Sequence, residues 1–166
     1  MALTYTPIST QTLGSNTATV TFSSIPSTYT DLVLVTNYGA SIAGMSPFIR
    51  FNSDTSTNYS DTVLYGTGSA AGSARDTSAT RIFIGQYQVG SSATTGNNMT
   101  ITNVQNYANT TTYKTALSRS GAAEKETNAI VGLWRNTAAI TTIDIVTTSG
   151  NFNSGSTFVL YGILAA

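Results

Sequence analysis

From Thr17 to Phe22 the side chains alternate strictly, with Ala18, Val20 and Phe22 on one side and Thr17, Thr19 and Thr21 on the other. A period of two is that of a strand with one buried and one wet face. The run Leu32-Val33-Leu34-Val35 breaks the rule, being apolar on both sides. It predicts a central strand covered on both faces, or a strand at a subunit contact. The pattern places further strands at 47–51, 62–65, 81–89, 99–105, 112–120, 129–135, 140–147 and 157–164, with a short leading strand at 3–8. The expected total is about ten strands, at the spacing of a sandwich.

Between these runs lie residues with turn chemistry: Ser53-Asp54, Gly66-Thr67-Gly68, Gly90-Ser91-Ser92, Gly96-Asn97-Asn98 and Ser149-Gly150-Asn151. Segments 66–80 and 90–98, rich in Gly, Ser, Ala and Thr, are expected to be long surface loops. The one island of helix-formers, Ala122-Ala123-Glu124-Lys125-Glu126, predicts no more than a single helical turn. The prediction is an all-β, antiparallel, jelly-roll-like sandwich forming one domain over 1–166. An immunoglobulin-like arrangement is the alternative, without the cysteines and their spacing to tryptophan that would support it.

Composition changes the picture chiefly by subtraction. The chain has no His and no Cys, and only 8% of its residues are charged. Seven basic and seven acidic residues cancel, so no field draws the chain to nucleic acid or to an anionic membrane. Few charges and no net charge favour close association. About three residues in ten are Ser or Thr, which suits half-buried strands. The amino terminus shows no basic region followed by an apolar run, and no stretch has the length of a membrane span, so a protein made in the cytoplasm is expected.

Catalytic chemistry has little to draw on. A Ser or Thr nucleophile would need Lys114 or Lys125 as its base, and both fall in strand or turn positions expected to be exposed. Asp54, Asp61 and Asp76 could supply a glycosidase-like carboxylate pair, although Asp at strand ends ordinarily bonds its own turn. Asn52, Asp54, Asn58 and Asp61 offer oxygen ligands for calcium, but in no EF-hand spacing; an Asx-turn network explains them without a metal. No cofactor is expected. Sugar binding would use rings to stack on pyranose faces, for which Tyr107, Tyr113, Trp134 and Tyr161 are candidates, each with a core role as the simpler explanation.

Several strings in order resemble a recurrent domain of tailed-bacteriophage virion proteins, known from marine and cyanobacterial phages. They are Ser24-Ile25-Pro26-Ser27-Thr28-Tyr29 with Leu32 and Leu34, Ile49-Arg50-Phe51-Asn52-Ser53-Asp54-Thr55 with Asn58-Tyr59-Ser60, Tyr107-Ala108-Asn109-Thr110, Gly132-Leu133-Trp134 with Ala138-Ala139-Ile140, and Gly155-Ser156-Thr157-Phe158 with Leu160-Tyr161-Gly162-Ile163. The resemblance covers 22–164. It implies a non-enzymatic structural role in the virion, as capsid decoration or as a tail or fibre component. The implied partners are copies of the chain itself, as a homotrimer, and other virion proteins such as the major capsid or tail protein. A receptor-binding module for host surface carbohydrate is the alternative. The resemblance also makes Arg50, Asn52, Asp54, Asn58 and Asp61 a structural polar loop, with Arg50 expected to pair with Asp54 or Asp61. No shaft, heptad or collagen-like repeat precedes the domain, which favours direct attachment to a particle surface over reach from a fibre.

Overall fold

The computed structural model describes residues 4–85, 98–123 and 125–164. Among these residues are twelve strands: β1 (Tyr5–Thr12), β2 (Thr19–Phe22), β3 (Asp31–Tyr38), β4 (Pro47–Phe51), β5 (Tyr59–Gly66), β6 (Ala71–Ala79), β7 (Ile82–Phe83), β8 (Asn98–Val104), β9 (Lys114–Ala122), β10 (Glu126–Trp134), β11 (Ile143–Thr147) and β12 (Thr157–Ile163). They form an eight-stranded sheet, β1-β12-β3-β8-β9-β10-β5-β6, and a four-stranded sheet, β2-β11-β4-β7. Every pairing is antiparallel. The sandwich expected from the alternation is therefore the fold, with sheets of unequal size.

The core follows from parity. Val20 and Phe22 of β2, Ile49 and Phe51 of β4, and Ile143 and Ile145 of β11 meet Leu32, Leu34, Ala116, Trp134, Phe158 and Leu160 of the large sheet, all within 3% of complete burial. Loop residues Ile25, Met45, Tyr107, Ile140 and Phe152 plug the remaining space. Burying each of the larger apolar side chains contributes about 1.5–3 kcal/mol. At Gly132 the sheets approach so closely that a Cβ would overlap the Ile82 side chain. The glycine lets β7 lie against the inner face of β10.

Three local expectations are corrected. Segment 66–80 is no loop, since most of it is strand β6, paired along β5 from Gly66↔Ala71 to Tyr59↔Ala79. Its burial pattern is almost wholly exposed, so no apolar alternation could announce it. The helix-forming island is not helical: in the β9–β10 connection the Lys125 N–H donates to the Ala122 carbonyl (2.9 Å), a tight hairpin turn. The strand expected at 81–89 is reduced to Ile82–Phe83, and its later part, like nearly all of the loop expected at 90–98, lies outside the described residues.

Candidate functional site

The sequence singled out two groups of residues, and the fold separates them. The polar loop is real and is built inward. Asn52 and Ser53 adopt left-handed backbone (φ 52° and 53°) as the chain leaves β4. The Asn52 amide donates to the Ala139 carbonyl (2.9 Å), and its oxygen accepts from the backbone of Thr141 (2.9 Å) and Thr142 (3.1 Å). Asp54 accepts from the Ser56 N–H and the Asn58 amide (2.9 Å each) and from the Trp134 indole (2.8 Å). Burial pulls the Asp54 pKa upward, but these bonds outweigh it and hold the carboxyl at about 2. Trp134 in turn stacks on Tyr59 (centroids 6.1 Å, 17°) and leans on Phe51 (5.6 Å). The loop is a clasp tying 52–58 to 134–142.

Arg50 does not pair with Asp54 or Asp61, contrary to expectation. Its Nε donates to the Thr80 carbonyl (3.1 Å) and its guanidinium lies 5.0 Å from the centroid of Phe48. The reason is parity: Arg50 points to the outer face of the small sheet, opposite Asp144 of β11. Asp61 lies at the inner seam instead, where one oxygen accepts from the Phe83 N–H (2.9 Å). Burial raises its pKa to about 6; the Phe83 bond and Arg81 oppose that rise, and Asp76 adds to it. Asp76 is its register partner across β5 and β6. Of the four side chains weighed for calcium, Asn52 and Asp61 are committed to separate backbone groups, and Asp54 takes the Asn58 amide. Among the described residues no group of three acidic side chains converges as a metal site would.

The ring candidates for sugar are redistributed in the same way. Tyr107 is fully buried and its hydroxyl donates to the Pro26 carbonyl; Trp134 is 1% exposed. Neither ring can stack on a pyranose. Tyr113 is open to solvent (55%), and Tyr161 sits half-buried with its ring edge against Tyr5 at 6.2 Å. Lys114, expected outside, is 0% exposed, since it occupies an inward position of β9 opposite Trp134. Its ammonium donates to the carbonyls of Thr112 (2.7 Å) and Thr137 (3.1 Å), and burial lowers its pKa.

What the structure leaves open is a face. The outer side of the eight-stranded sheet carries, in one register row, Tyr161, Val33, Asn103, Leu117, Val131, Thr62 and Arg75. The adjacent row is Val159, Val35, Ile101, Arg119, Ala129, Leu64 and Ser73. Leu64, Met99, Leu117 and Val131 stand proud at 62%, 53%, 51% and 46% exposure, whereas Val33 is buried among its neighbours. A depression of about 400 Å³ opens beside Met99, Ile101 and Arg119, and another of about 450 Å³ beside Thr62, Arg75 and Val131. Such an array of ridges and hollows, nearly free of charge, can exclude water from a protein partner. These positions were absent from the sequence-based candidates. The signal was present in adjacent apolar pairs such as Val63-Leu64, Ala116-Leu117 and Ile130-Val131, the same departure seen at Leu32–Val35.

No family model matches the chain, and no curated protein does. Among solved structures, a mutant of alginate lyase Aly36B in complex with alginate tetrasaccharide aligns over 83% of this chain and 72% of that one, at 10% identity and a TM-score of 0.28. At that TM-score the likeness carries no argument about function.

Proposed function

We propose that the chain is a non-enzymatic structural protein of a bacteriophage virion, attached to the particle as capsid decoration or as a tail or fibre component. The observation that carries this reading is the bare outer face of the eight-stranded sheet, with Leu64, Met99, Leu117 and Val131 exposed. A chain without His or Cys, whose polar loop is spent on holding its own fold, is suited to work by contact. The particle is inferred from the resemblance of the sequence strings to virion domains. Its partners would be copies of itself and neighbouring capsid or tail proteins, with host glycan left to Tyr113, the most open ring among the sugar candidates.

Quantitative mass spectrometry of purified particles tests the proposal. Presence at a copy number that fits capsid or tail symmetry is the expected result. Absence from intact particles, with the protein abundant in the lysate, would overturn it.

A further inference from the structure

We infer that the outer face of the eight-stranded sheet pairs with the same face of a second copy, about a two-fold axis running along the strands between β8 and β9. The inference deepens the structural reading above by naming the partner of that surface.

Three observations carry it. The first is size: eight strands at ~4.8 Å spacing and about seven residues at ~3.3 Å each make a face of roughly 800 Å². That is about the area each partner contributes to a stable interface of standard size.

The second is fit. The axis between β8 and β9 bisects the sheet, so it lays β9 on β8, β10 on β3 and β5 on β12. Within the register rows, Val131 then meets the low-lying Val33 and Leu64 meets Val159. Ala129 meets Val35, and the Arg119 stem crosses Ile101. Leu64, Leu117 and Val131 of the β9-β10-β5 part are set onto the β12-β3-β8 part, where Val33 is buried, and the exposed Met99 of β8 falls opposite Gly121 of β9. Aligned packing of twisted sheets at about 30° is the geometry in which such faces interdigitate.

The third is charge. In the two rows Arg75 and Arg119 are the only charged residues; Arg75 lies at the rim, and the two Arg119 side chains that flank the axis run their stems along Ile101 and keep their guanidinium groups in water. The whole chain is neutral, so two copies meet without net repulsion. One self-complementary face closes at two copies, whereas a trimer would require two different surfaces.

Light scattering on the full chain over a range of concentrations should give twice 17.3 kDa. Leu117→Lys, which adds two more positive charges to the Arg119 pair beside the axis, should weaken association roughly 100-fold or more while leaving the β-sheet circular dichroism unchanged. Because the chain has no cysteine, Leu117→Cys should be joined into a covalent dimer by a bis-maleimide that spans the ~10 Å between packed sheets, and Thr19→Cys, on the far sheet, should not. A monomer at every concentration, a trimer, or a dimer indifferent to both Leu117→Lys and Val131→Lys would overturn the pairing. Dimer formation by a protein missing from virions would sink the virion reading and leave the pairing standing; presence in virions as a monomer would do the reverse.

Discussion

The two outward faces of this sandwich are made from the same kind of alternating strand and finished in opposite ways. On the small sheet, Phe48 and Phe83 pack against Val63 and Ile130 where the large sheet meets them, and Arg50 and Arg81 close over the remainder, their guanidinium carbons 5.0 and 5.4 Å from the Phe48 ring centre and Arg81 also 4.6 Å over Phe83. Beside them Asp144 accepts from Thr21 (2.7 Å) and Ser53 (2.8 Å). On the large sheet no comparable lid among the described residues covers Leu64, Leu117 or Val131. A long cationic side chain can bury apolar surface while keeping its charge in water. Where the chain needs to meet solvent it uses that device; where it does not, a protein surface is the fitting cover.

The comparison breaks most sharply at Phe48. Phe48→Ala should cost about 3 kcal/mol, because it empties a buried site and strands two stacked guanidinium groups. Urea denaturation checks this, and a loss below that of an ordinary surface change would mean the small sheet's face is not sealed as described. Next comes the seam where Asp61 holds β7 to the large sheet. Its raised pKa means its contribution to stability is complete below about pH 3.8 and is lost as pH rises through about 6. Asp61→Asn keeps an oxygen for the Phe83 N–H and should therefore gain about 2 kcal/mol at pH 8 and almost nothing at pH 4. An equal effect at both pH values would remove the charge from the explanation.

Smaller effects sharpen the contrast. Asp144→Ala, which leaves the Thr21 and Ser53 hydroxyls to water, should lower stability by about 1 kcal/mol. Under dilution to monomer, Leu117→Ser should stay within about 0.5 kcal/mol of the parent by thermal melting, since the side chain has no described lid to lose. A large loss at Leu117 would show that the face is already covered within one copy.

Much of this fold was legible in the chain. Alternation located β2 and β4 to the residue or nearly so, and the turn clusters near Ser53-Asp54 and Ser149-Gly150 fall between strands. Strand β6 was not legible because an edge strand exposed on both faces needs no apolar period, and its Gly, Ser, Ala and Thr content reads as loop. The acidic and amide residues of 52–58 were recognised as a structural cluster, while their anchor on the Trp134 indole, 80 residues away, was not. Lys114 misled because composition treats a lysine as a surface residue, whereas parity on β9 turns it inward to two carbonyls.

By itself the sequence determined the fold class, because a period of two over many short segments can bury its apolar positions only in packed sheets. It also determined the scarcity of acid–base chemistry, which depends on residue identity alone. Only the tertiary structure decided that the sheets are unequal, which face of each double-apolar strand meets the core, and that Tyr107 and Trp134 are interior while Leu64, Leu117 and Val131 are not. Parity assigns a side chain to a face, but strand order and the reach of the opposing sheet decide which faces are covered.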